Sequence, residues 1–189
     1  MFKKLAITMM LTITLVMAGC EWDYPLSPPE KGIQDKSLVG FWRLKTKEDN
    51  AVYMFSQGND VDQRDPRFKE FKPADLNHLL VLMSLELSAP YVPGEEAESW
   101  WAWTTVIDDV KYLNLQYREE PSGKKTDKTV LIIKYRVEGD KLLWSTLSPK
   151  AKERINKELG EKYTSEALRG AILATGEQDW VQETLTRVR

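Results

Sequence analysis

The chain has one cysteine, Cys20, and one histidine, His78, in 189 residues. A lone cysteine excludes an intrachain disulfide, so the folded part must hold together by packing alone. No zinc set can be assembled from one histidine and one cysteine. His78 is the only imidazole available as a base, and Ser84, Ser88 and Ser99 lack the context of an activated nucleophile. Phosphate loops, dinucleotide fingerprints and calcium loops are all missing. Glu95, Glu96 and Glu98 imitate a glycosidase carboxylate pair, yet acids in a Pro-Gly loop are ordinarily just solvated. Basic residues are not in excess either: the formal net charge is −2, which argues against a nucleic-acid surface. These absences predict no catalytic residue, no metal, no cofactor and a protein that is not an enzyme.

What is present begins at the N-terminus. Lys3 and Lys4 precede an apolar stretch from Leu5 to Val16, and Met17-Ala18-Gly19-Cys20 follows. The stretch is shorter than the ~18–20 residues of a spanning helix. Charge, apolar run and small residues together describe a secretory signal. The cysteine directly after Ala-Gly resembles the bacterial lipobox, in which that residue is diacylated and becomes the new N-terminus. Met17 replaces the usual leucine. The resemblance implies a signal peptide over 1–19 and lipidation of Cys20. Loss of Lys3 and Lys4 takes the formal net charge from −2 to −4. No second long apolar run follows, so the expected membrane element is the acyl anchor. Glu21 in place of aspartate points to outer-membrane sorting, with the domain facing the periplasm.

Residues 20–37, with Pro25, Pro28, Pro29 and Gly32, read as the lipidated cysteine and a stiff, Pro-rich tether. Residues 38–189 are long enough for one domain with a real core. Strands are expected over Leu38–Thr46 and Ala51–Ser56, then a charged excursion over 57–73. Leu76–Ser88 fits both helical and strand spacing, and a strand from about Leu79 is the better match. Trp100–Ile107 and Val110–Tyr117 form a hairpin around Asp108-Asp109, and Thr129–Glu138 and Lys141–Thr146 a second around Gly139-Asp140. The period then changes. Ser148-Pro149 is an N-cap pattern, Ala151, Ile155 and Leu159 recur at helical spacing, and Gly160 stops the run. A second short helix is expected from about Thr164, and a last strand over Trp180–Val188. Strands followed by helices predict a mainly β (α+β) fold: a small antiparallel β-barrel or strongly curled sheet, with two short helices near the C-terminus at an opening or edge.

Leu38-Val39-Gly40-Phe41-Trp42 places Gly-x-Trp at the first strand. This resembles the lipocalins and the wider calycin group. Tyr112 to Gln116 and Lys134 to Leu142 are similar to uncharacterised lipocalin-like lipoproteins, so the resemblance spans Leu38 to about Leu147. The Thr-Asp-Tyr element of the lipocalins is missing, since Thr126-Asp127-Lys128 lacks the aromatic. The resemblance implies that Gly40 and Trp42 sit at the closed end of a barrel, under a basic residue from near the chain's end, Arg187 or Arg189. It also implies an apolar or amphipathic ligand inside the barrel.

Trp100, Trp101 and Trp103 lie within four residues. In a strand Trp101 and Trp103 share one face and Trp100 takes the other. The run is either core packing or the wall of an aromatic site. Both faces of a small barrel cannot be core, so one tryptophan is expected to be partly exposed. The more apolar face, Trp101, Trp103, Thr105 and Ile107, is the expected ligand wall, with Tyr135 opposing it. The functional expectation is a lipid-anchored binding protein for an apolar or amphipathic small molecule or an envelope component. The alternative is an envelope interaction or assembly lipoprotein with a filled barrel, recognisable by an exposed aromatic patch.

Overall fold

The computed structural model describes residues 21–47, 49–60, 75–87, 98–117, 129–160 and 163–188. Their strands are β1 (Glu21–Trp22), β2 (Gly40–Lys45), β3 (Asn50–Gln57), β4 (Leu80–Glu86), β5 (Glu98–Ile107), β6 (Val110–Tyr117), β7 (Val130–Glu138), β8 (Lys141–Leu147) and β9 (Trp180–Arg187). Two α-helices follow β8: α1 (Pro149–Leu159) and α2 (Ser165–Leu173). From β2 to β9 each strand pairs antiparallel with the next, and β9 pairs back to β2. The result is an eight-stranded antiparallel barrel with two short helices near the C-terminus.

Local chemistry explains the elements. Asp108 and Asp109 both take left-handed φ, 49° and 64°, which a two-residue hairpin requires and aspartate tolerates. Gly139 does the same at φ 60° between β7 and β8. The Ser148 hydroxyl accepts from the Ala151 N–H at 3.2 Å, and Pro149 opens α1. The Thr164 hydroxyl caps α2 in the same way. The ambiguous Leu76–Ser88 stretch splits into a 3-10 turn over Asp75–His78 and then β4. Leu76 in that turn and Leu79 just after it are both buried, which accounts for the helical spacing there.

Alternation puts Trp42, Leu44, Phe55, Leu80, Leu82, Trp100, Ala102, Leu113, Leu115, Leu131, Ile133, Tyr135, Leu142, Trp144 and Leu185 inside the barrel, joined by Leu38 from the approach to β2. A second cluster lies on the outer wall, where Ala151, Ile155, Leu168 and Ile172 of the helices meet Ile107, Tyr112, Val130, Ile132 and Leu147. The helices therefore cover the outside of β5–β7; they do not plug an opening. Arg154 fixes α1 to Asp179, just before β9, through two bonds of 3.1 and 2.8 Å.

Residues 21–37 are not a free tether. β1 pairs with β7 at Leu131 and Val130, just past Ile133, the last β7 residue registered with β8. Trp22 and Leu26 are buried against the helices. The Leu26 N–H donates to Asn114 Oδ1 at 2.8 Å, and Ser27 and Thr105 share a hydroxyl bond of 2.6 Å. Ile33 and Thr104 exchange backbone bonds. The segment is a strap lying along the outer wall. The proline count suggested a linker; the burial of Trp22 and Leu26 overrules it, because a solvated linker has no use for such side chains.

Candidate functional site

Of the expected ligand wall, only Tyr135 faces the barrel interior. Trp101 and Trp103 form an outer cluster with Leu76, Leu79 and Val81. The Trp103 indole N–H donates to the Ser27 carbonyl at 2.8 Å, and a Cβ on Gly32 would stand 2.7 Å from its ring. Thr105 is bound to Ser27 and accepts from Asn114 Nδ2 at 2.9 Å. Ile107 packs under the helices. The interior face of β5 is the other one, Trp100, Ala102 and Thr104. The expectation of a partly exposed tryptophan also fails: Trp100, Trp101 and Trp103 are all buried. The reason is the strap, which gives the outer face a core of its own and makes it the more apolar face. His78, the only imidazole, is half-buried and bonds the Gly32 carbonyl through Nδ1 at 3.0 Å, so it serves the same strap.

At one end of the barrel Trp42 is fully buried, and its indole N–H donates to the Leu38 carbonyl at 2.6 Å. The Arg187 guanidinium lies 4.2 Å from the ring centroid and donates to the carbonyls of Val39 and Ser37 at 2.9 and 2.7 Å. Gly40 has φ 127°, and a Cβ there would stand 3.0 Å from Arg187 Nη1. Arg189 lies outside the described residues. Beside this plug the Tyr135 hydroxyl donates to Asp35 Oδ2 at 2.9 Å, and Thr104 bonds the same hydroxyl at 2.7 Å. A tyrosine has one proton to give, so Thr104 is the donor of that second bond. Burial pushes the Tyr135 phenol far above its usual range, so it stays a donor. Tyr135 is thus part of the closed end rather than a ligand contact.

Asp35 anchors that network. Burial alone would raise its pKa, but bonds from the Lys111 ammonium, the Ser37 hydroxyl and N–H, and the Tyr135 hydroxyl outweigh it and hold the carboxyl at about 2, below the ordinary 3.8. A carboxyl depressed on folding stabilises the fold above its unfolded pKa, and that contribution fades as pH falls toward the folded value. Asp35→Asn is expected to cost about 2 kcal/mol at neutral pH. It should also flatten the stability loss seen between pH 3.8 and about 2. Urea unfolding across that range checks both; an unchanged acid limb would remove Asp35 from the account.

The opposite end differs. There the inward-facing Leu44, Trp100, Leu131 and Trp144 retain 5–7 % exposure, against 0–1 % for Trp42, Leu142, Leu185 and Leu113 deeper in. Tyr53 and Tyr117 beside them are only half-buried. Tyr53 and Phe55 meet Trp144 at centroid separations of 5.7 and 6.5 Å, and Tyr117 stands edge-on to Trp100 at 5.8 Å. This is a shallow aromatic bowl above a packed interior. The inward charges divide by end. Among the described residues, Arg187 and Lys111 lie at the closed end. Glu86, registered with Ala51, and Glu183, registered with Trp144, lie at the open end. Burial first, then the charge of Asp49, raises the Glu183 carboxyl above its usual range.

The sequence reading missed the bowl. Trp100, Trp144 and Tyr53 come from three distant strands, and only the register unites them. Among the described residues no group of histidine, cysteine, aspartate or glutamate side chains is placed to hold a metal ion. No described helix is long and apolar enough to cross a membrane. Cys20 lies outside the described residues. No family model, curated protein or solved structure matches the chain.

Proposed function

We propose that this chain is a lipid-anchored binding protein of the bacterial envelope, with the open end of the barrel as its site. One observation carries the binding part of this reading: at this end Tyr53 and Tyr117 stay half-exposed over Trp100 and Trp144, which keep 5–6 % exposure, while the interior beneath them is sealed. An eight-stranded barrel is just wide enough to be filled by side chains or to hold one small ligand. Here the lower part is filled, so the occupant is a headgroup, a ring or a short apolar chain. The anchoring part rests on the lipobox-like Ala18-Gly19-Cys20. Because Glu21 is already paired to Leu131, acyl chains on residue 20 would start at the barrel wall with almost no slack.

The packed interior also favours a second reading, an interaction or assembly lipoprotein that uses the same rim against a partner protein. Two measurements separate the outcomes. Fatty-acid metabolic labelling should mark the wild type and not Cys20→Ala; label persisting on the variant ends the anchor reading. The purified lipidated chain, held in amphipathic polymer instead of detergent, should bind octyl glucoside below its micellar concentration. Absence of any binding would transfer the rim to the protein-partner reading.

A further inference from the structure

We infer that the barrel lies against a lipid bilayer with the corner where β1 meets α1. Tyr24, Tyr163, Lys152 and Asn156 face the headgroups there, and the open end stands beside the membrane surface. This goes beyond the binding proposal and rests on its anchoring part. The strap fixes the orientation. Residue 20 precedes Glu21 by one peptide, about 4 Å, and Glu21 is held on β7 opposite Leu131, at the open end. The next residues are held as well. Trp22 pairs with Val130 and is buried against the helices, and the Asp23 N–H donates to the Tyr163 hydroxyl at 2.9 Å. A free tether would let the domain tumble over its anchor. A docked one leaves a single patch of wall within reach of the acyl chains.

The surface around that point has the composition of a membrane interface. Tyr24 is 45 % exposed and stands edge-on to Tyr163 at 5.6 Å, and Tyr163 meets Trp22 in the same way at 6.4 Å. Tyrosine suits that depth because its ring is apolar and its hydroxyl stays wet. The Lys152 ammonium lies 5.8 Å from the Trp22 ring centroid, so α1 borders β1 here. Asn156 is exposed one helical turn further along the same side of α1. Exposed Asp23 and half-buried Lys152 give the patch both signs of charge, which answers a zwitterionic headgroup. An acyl anchor gains strength from a second contact of this kind. Phe41 and Val188 also expose apolar side chains, but at the closed end, on β2 and just past β9. They could reach the same bilayer only if β1 left β7.

Fluorescence quenching tests this on the lipidated chain in nanodiscs of phosphatidylcholine that carry a shallow spin-labelled phosphatidylcholine. Acylation turns the Cys20 sulfur into a thioether, so a single introduced cysteine alone takes a fluorescent thiol label. The label at Asp23→Cys reports the anchor and should lose about half its emission or more. The label at Asn156→Cys reports the docked face and should lose about as much. Phe41→Cys should keep its emission. Tyr24→Ser changes an exposed side chain and leaves the core intact. It should reduce the quenching at Asn156→Cys about twofold and leave that at Asp23→Cys unchanged. Quenching at Asp23→Cys but not at Asn156→Cys, or equal quenching at Asn156→Cys and Phe41→Cys, overturns the orientation and leaves the anchor standing. Quenching at none of the three positions, with no fatty-acid label on the wild type, removes the anchor and this orientation with it.

Discussion

Trp42→Ala is expected to lower the unfolding free energy by about 3–5 kcal/mol, the range for deleting a buried large aromatic. The loss has three physical parts. The indole fills the closed end completely. Its N–H leaves the Leu38 carbonyl short of a donor when removed. The Arg187 guanidinium loses the ring 4.2 Å beneath it. The last part matters most for the barrel, because β2 and β9 share only two registered pairs, Trp42–Arg187 and Arg43–Thr186, whereas β8 and β9 share seven. The seam that closes the barrel is thin in backbone bonds and is held by this side-chain stack. Urea unfolding of wild type and variant gives the difference; a shift below about 1 kcal/mol would show that the seam closes without its plug.

Trp103→Ala should cost a similar ~3–5 kcal/mol, and for a different reason. Trp103 is fully buried on the outer wall, and its N–H holds the Ser27 carbonyl. Its removal opens a cavity between strap and barrel. Residues 21–37 should then become cleavable by a protease at concentrations that leave the barrel intact, while ligand binding at the open end persists. A folded Trp103→Ala protein that keeps its strap protected but loses binding would place the site on the wrong face of β5.

The barrel was legible because its signals are local. Alternation, the two hairpin turns and the capped helices each follow from a few adjacent residues. The face of β5 was not legible. Hydrophobicity tells which face is buried, not whether it is buried by the barrel or by something laid over it. Trp101 and Trp103 are the more apolar side because the strap and the 3-10 turn cover them. The strap was misread for a related reason: Pro25, Pro28 and Pro29 describe an extended backbone but not whether that backbone is docked. Trp22 and Leu26 were the available hint. Glu183 was hidden by weak alternation in β9, where Val181 and Glu183 look like a surface strand until the register with Trp144 is known.

The thin seam also governs how the chain must fold. Each hairpin can form early from neighbouring residues, but the contacts that finish the molecule join distant ones: Asp23 to Tyr163, Asp35 to Tyr135, Trp42 to Arg187. Closing such long loops before they are rewarded makes folding slow, in the range of milliseconds to seconds typical of closed β topologies. Until β9 arrives, β2 and β8 both present unpaired edges, a template for joining other chains. The final eight-residue strand, β9, is therefore the step on which escape from aggregation depends.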